Sequence, residues 1–157
     1  MLPIGSKAPD FKIKLHSGEI FRLRDISGKS NLVVSFFHDT IEKKEQQDVS
    51  LFFEHLQKIQ ELGTSVLIIC PGNIGAQQKV LEHFHLKILI GSDPTLEVCR
   101  NYRVFWLRGV GLREVTYIID KKGTVRSVLK HHLVTKKTWD QVLRLLHELE
   151  GDQRTPK

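Results

Sequence analysis

Cys70 and Cys99 are the only thiols in the chain and the side chains best suited to redox or nucleophilic chemistry. A thiolate is the reactive form, and an activated one attacks peroxides, disulfides and electrophiles. Their spacing is neither C-x-x-C nor a metal-type pattern, so it argues for neither a dithiol motif nor a zinc site. Two free thiols are the expectation in a reducing compartment. Free cysteine is also among the most buried residue types, so simple packing is the competing reading for each. His83 and His85 do not share a helical face, and His131-His132 is no ligand pair, so both pairs are expected at the surface.

The elements that must position these residues follow from hydrophobic periodicity. Phe11, Ile13 and Leu15 alternate with polar residues, Ser17-Gly18 makes a turn, and Phe21 and Leu23 resume the alternation, which predicts a hairpin. Leu32 to Phe37 and Val66 to Cys70 are continuous apolar runs, the pattern of strands buried on both faces. Between them, Lys43 to Leu62 carries an apolar stripe at Val49, Phe52, Phe53, Leu56, Ile59 and Leu62, with Gly63 as terminator. A shorter helix over Ala76 to His85 buries Val80, Leu81 and Phe84, and a strand over Ile88 to Ile90 follows. Asp93-Pro94 reads as a helix cap and first position, with Leu96 and Cys99 inward. Val115 to Ile119 and Thr124 to Leu129 form a second hairpin around Asp120-Lys121-Lys122-Gly123. The last helix, Lys136 to Leu149, buries Trp139, Val142, Leu143, Leu146 and Leu149, with Thr138 and Gln141 spaced as a capping box. Phe105 and Trp106 lie in an aperiodic, glycine-containing loop, either as a partner contact or tucked on the core. Alternating buried strands and helices predict an α/β fold, a central mixed sheet with helices on both faces and antiparallel strands at one side.

At 157 residues, 40% hydrophobic and 27% charged, the chain suits one soluble domain, residues 1–150, with a frayed polar tail over 151–157. Disorder, a disulfide scaffold and a bilayer-spanning segment are excluded by composition and by the lack of long apolar runs. No secretory signal is visible at the start, so the cytoplasm is the expected location. The net charge of +6 is dispersed, densest at Lys130, His131, His132, Lys136 and Lys137. Without stacking aromatics or a binding motif, this reads as a solvated basic surface and not as a nucleic-acid interface.

Several landmarks resemble the peroxiredoxin family. Gly5-Ser6-Lys7-Ala8-Pro9-Asp10-Phe11 is similar to its G-x-x-A-P-x-F opening. Ser17-Gly18 with Leu23 and Asp25 resembles its first hairpin, and Asn31 to Phe37 the strand before its active-site helix. Ser92-Asp93 with Tyr102-Arg103-Val104 resembles an "SD…YGV" segment, with Arg103 in place of the usual glycine. Thr116 to Asp120 with Gly123 resembles the family's "RSTF-x-ID…G" strand and turn. The order and spacing are most similar to the bacterioferritin-comigratory, or Q-type, branch. The resemblance implies a thioredoxin-like fold with an N-terminal hairpin. It also puts Cys99 at the position where some members carry a resolving cysteine.

In that family a P-x-x-x-T-x-x-C motif starts the helix after the first core strand. The helix N-terminus and an arginine activate the thiolate, and the threonine and arginine hold the peroxide. Carried onto this chain, the resemblance puts His38 at the proline, Glu42 at the threonine and Glu45 at the cysteine, with Asp48 as the acidic residue that follows. The arginine of the later strand falls on Glu114, with Arg113 one residue earlier. Strand neighbours point to opposite faces, so Arg113 takes that role only if the strand is bulged or shifted. Carboxylates at these positions would raise a thiol pKa and repel an oxyanion. The expected function is a peroxiredoxin-like binding or regulatory module without peroxidase chemistry. The alternative is a thiol-dependent antioxidant using Cys99, Cys70 or both, with a thioredoxin-type reductant. No cofactor is expected. A divalent metal on His38, Glu42 and Glu45 is a minor possibility against a solvated helix start. The expected partner is a second copy or another protein, with no membrane and no nucleic acid.

Overall fold

The computed structural model describes residues 1–39, 46–105 and 111–154. Its strands are β1 (Lys12–Leu15), β2 (Ile20–Arg22), β3 (Leu32–Phe36), β4 (Ser65–Cys70), β5 (Leu89–Ser92), β6 (Val115–Ile119) and β7 (Val125–Lys130). Its helices are α1 (Leu23–Ile26), α2 (Gln46–Glu61), α3 (Gly75–His83), α4 (Glu97–Asn101) and α5 (Lys136–Arg154), with a 3₁₀ turn at His131–Leu133 before the last. One seven-stranded sheet runs in the order β2-β1-β5-β4-β3-β6-β7. The central strands β5, β4 and β3 are parallel. Antiparallel hairpins close both edges, not one side as the sequence suggested.

Helices cover both faces, as expected from strands buried on both sides. On one face Val34, Phe36, Leu67 and Tyr117 pack with Phe11, Leu23 and the α4 residues Val98 and Cys99. On the other, Val33, Ile68, Cys70 and Ile118 meet Phe53, Leu56 and Ile59 of α2, Val80 and Leu81 of α3, and Trp139, Val142 and Leu146 of α5.

Four sequence expectations change at element ends. Leu62, Phe84 and Leu143 are 67%, 39% and 37% exposed, not inward. Leu62 follows the last residue of α2, where Gly63 turns the chain at φ +98, and Phe84 is the C-cap of α3. Leu143 flanks a narrower stripe of Trp139, Val142, Leu146 and Leu149. Helix α5 continues to Arg154, so residues 151–154 of the expected frayed tail are helical, and 155–157 lie outside the described residues. Its start is tied by a reciprocal pair, in which the Thr135 N–H donates to Thr138 Oγ1 at 3.0 Å and the Thr138 N–H to Thr135 Oγ1 at 3.4 Å, in place of the Thr138–Gln141 box. Helix α4 begins at Glu97, after a left-handed Leu96, and not at Pro94. Asp93 still caps it, accepting from the Val98 N–H at 3.3 Å and the Cys99 N–H at 2.8 Å. Among the described residues no helix is long and apolar enough to cross a membrane.

Candidate functional site

In open α/β sheets, ligands bind beyond the carboxyl ends of the parallel strands. Here that end is built around His38, two residues past β3. The His38 N–H donates to Glu114 Oε2 at 3.0 Å, and Gln77 Nε2, reaching from α3, donates to the His38 carbonyl. Gln77 is buried, and its Oε1 has no hydrogen-bond partner among the described residues. His38, Arg113, Glu114, Lys130, His131 and His132 line a cavity of about 480 Å³, with Leu112 and Val115 adding apolar wall.

Two of the residues placed here by the family motif therefore meet. Glu42 and Glu45 lie outside the described residues, so the His38, Glu42 and Glu45 metal set is not described either. Among the described residues no group of three or more histidine, cysteine or acidic side chains is arranged to hold a metal. Arg113 and Glu114 both line the cavity, although alternation put them on opposite faces. They precede β6, which starts at Val115, so strand alternation does not govern them. The Arg113 N–H instead donates to the Val104 carbonyl at 2.7 Å. The Met1 amino group is held below its ordinary range by burial, then by the charges of Arg113, Arg103 and Lys130. Arg103, standing where the resemblance implies glycine, keeps a left-handed φ of +55. That conformation costs a non-glycine residue roughly 1 kcal/mol.

His131 is half-buried, whereas the sequence placed it at the surface. Its ring packs against Phe37 and Phe52, with centroids 4.6 and 4.4 Å away. Its Nε2 lies 2.8 Å from Thr116 Oγ1, which lies 2.6 Å from Ser35 Oγ. Ser35 and Thr116 are 0% exposed and paired in register across β3 and β6. Burial pushes the imidazole down to about 3, against an opposing pull from the Val115 backbone, with His132 and His38 adding to the fall. Its Nδ1 is buried with no hydrogen-bond partner among the described residues. Sequence reasoning missed this seam. The available signal was a lone aliphatic hydroxyl in each of two apolar runs, Ser35 and Thr116.

Neither thiol lines this cavity among the described residues. Cys70 and Cys99 are free and 0% exposed, in core layers on opposite faces of the sheet. Burial pushes the Cys70 thiol up, helped by the charges of Asp39 and Glu114. Burial does the same to Cys99, with a further rise from its hydrogen bond to Asp93 and that carboxylate's charge. Phe105 is half-buried against the core around Tyr102, whereas Trp106 lies outside the described residues.

Comparison with known proteins gives this frame a lineage. The AhpC/TSA family profile matches residues 4–128. Peroxiredoxin Bcp of Bacillus subtilis is 25% identical over 128 residues, covering 78% of this chain and 81% of that protein. Thiol-disulfide oxidoreductase ResA of Geobacillus thermodenitrificans is 30% identical over 127 residues, covering 80% of this chain and 68% of that protein. The crystal structure of peroxidoxin BcpB from Mycobacterium tuberculosis superposes with a TM-score of 0.76 at 19% identity, covering 94% of this chain and 98% of that one. With most of its length matched and a thioredoxin-like sheet beneath, the chain belongs to the AhpC/TSA family.

Proposed function

We propose that this member of the family has given up thiol-based peroxide reduction and works as a binding or regulatory module, engaging another protein or a second copy of itself. The observation that carries this reading is the state of its two thiols. Both are fully buried, and the environment of each pushes its pKa up. Peroxide reduction requires a thiolate that the substrate can reach, and an activated one has a lowered pKa. No cysteine occurs before Cys70, and the resemblance puts Glu45 at the family's peroxidatic position. Glu114, which the resemblance puts in place of the family's arginine, would repel negative charge developing at the strand ends. Function resides in the site and not in the fold, so a shared sheet does not restore the chemistry. A cytoplasmic setting suits a protein with two unpaired thiols.

The similarity to ResA favours one rival, a thiol-dependent oxidoreductase working through Cys99 or Cys70 with a thioredoxin-type reductant. A Cys70–Cys99 disulfide would have to join opposite faces of the sheet. Single-turnover consumption of hydrogen peroxide by the fully reduced protein, with free cysteine as control, decides between them. The expected rate is no faster than that of free cysteine. A much faster rate that disappears in Cys99→Ser or Cys70→Ser overturns the proposal and identifies the thiol.

A further inference from the structure

Helix α4 ends in a Schellman turn whose left-handed position is held by a cation. The Val104 N–H donates to the Cys99 carbonyl and the Arg103 N–H to the Arg100 carbonyl, both at 3.0 Å. Glycine takes that conformation without strain, but Arg103 adopts it at φ +55. Its side chain is exposed and forms no ion pair among the described residues, so nothing there offsets the strain. The backbone gathers two more cations beside it. The Arg113 N–H donates to the Val104 carbonyl at 2.7 Å, Phe105 bridges to Leu112, and Val115 pairs with Lys130 across β6 and β7. Arg103, Arg113 and Lys130 thus stand exposed on three neighbouring segments, and none forms an ion pair among the described residues. The Leu2 N–H donates to the Tyr117 hydroxyl, which donates to the Tyr102 carbonyl, and so brings the Met1 amino group to the same place. Against these four groups, the one carboxylate lining the adjoining cavity among the described residues is Glu114, which accepts from the His38 N–H.

We propose that this cluster docks an acidic segment of a partner protein, with successive carboxylates taken by Arg103, Arg113 and Lys130. The assignment rests on the binding-module reading and gives the chemistry of its partner. Arginine forks match carboxylates with paired hydrogen bonds. Cations held together without counter-ions repel one another, and a partner carrying several carboxylates relieves that repulsion. Backbone strain kept at a residue whose side chain the fold does not use points to a role outside the fold. A second copy is disfavoured, because a chain of net charge +6 repels itself. Single-stranded nucleic acid calls for aromatic faces on which bases stack. Here Tyr102 and Tyr117 are fully buried and Phe105 is half-buried.

The test is a fluorescence-anisotropy titration of the full chain into fluorescein-labelled hexaglutamate, alongside labelled hexaglutamine and labelled octathymidylate. Hexaglutamate is expected to bind saturably and hexaglutamine not to bind. Arg103→Gly is the informative variant, because it relieves the left-handed strain while removing the charge. It is expected to raise the urea midpoint and to weaken hexaglutamate binding about fivefold or more. Arg113→Gln and Lys130→Gln are expected to weaken binding as well. Lys137→Gln removes the same charge from an exposed position on α5 and should leave affinity within about twofold. Absence of saturable binding overturns the proposal, as does equal binding of hexaglutamine or tighter binding of octathymidylate. Equal weakening by Arg103→Gly and Lys137→Gln also overturns it, since binding would then follow net charge alone. The two readings fail separately. Slow peroxide consumption without hexaglutamate binding overturns the acidic partner and leaves the non-peroxidase reading standing. Fast consumption with binding does the reverse.

Discussion

Where β3 begins, Asn31 is buried, donates to Glu150 Oε1 at 3.0 Å and accepts from the Lys121 N–H at 3.0 Å. Beside it Asp120 accepts from the N–H groups of Lys122 and Thr124 and from Arg126. Where the same strand ends, and among the described residues, Gln77 Oε1 and His131 Nδ1 are buried with no hydrogen-bond partner, and Arg113 and Lys130 form no ion pair. The first end links its polar groups to one another and so fixes the turn between β6 and β7. The second holds polar groups in place without completing them. Buried unsatisfied groups are rare because each costs free energy, so their concentration at one end of the sheet marks that end as the functional one.

Breaking the completed end should have the largest effect. Asn31→Ala strands the Lys121 N–H and removes the bond to Glu150, at a cost of about 3 kcal/mol in urea unfolding. The amide signals of Arg113 and Lys130, at the other end, should not move. A cost under about 1 kcal/mol would remove the contrast between the ends.

The next effect comes from acid. The native His131 imidazole is held down to about 3, against 6.5 ordinarily, so the unfolded chain binds a proton that the native state refuses. The stability this confers is present above about pH 6.5 and is lost as pH falls from there toward 3. Between pH 7 and 4 the wild type should lose about 3 kcal/mol more than His131→Gln, read from urea midpoints at both pH values. Equal slopes would mean that His131 titrates normally.

The smallest effect tests the hydroxyl seam. Thr116→Val leaves the Ser35 hydroxyl without its partner, and adding Ser35→Ala removes the stranded group. The double variant should be about 1 kcal/mol more stable than the sum of the singles. Additivity would show that Ser35 and Thr116 are not coupled.

Sequence periodicity recovered the order and type of the main elements because strands buried on both faces and amphipathic helices leave clear patterns. It placed Leu62, Phe84 and Leu143 inward because periodicity does not show where a helix stops or how wide its buried stripe is. It placed antiparallel strands at one side because the pairing of β1 with β5 joins residues far apart in the chain. At the site, the motif positions His38, Glu114 and Arg113 were legible, since they lie at fixed offsets from strands. His131 was not, because adjacent histidines in a basic stretch read as surface. Its ring is held by contacts far along the chain, with Thr116 and with Phe37 and Phe52.

The first residues of the chain pair with some of the last strands to be made. The Leu2 N–H donates to the Tyr117 hydroxyl, that of Gly5 to the Val125 carbonyl, and that of Ala8 to the Gly123 carbonyl. During synthesis from the N-terminus, this segment waits for more than a hundred residues before its partners exist. Pairings of such long range form late. Until Val125 has emerged, Ala8 and Phe11 lack part of their final cover, and this is the interval in which a nascent chain most needs protection from association.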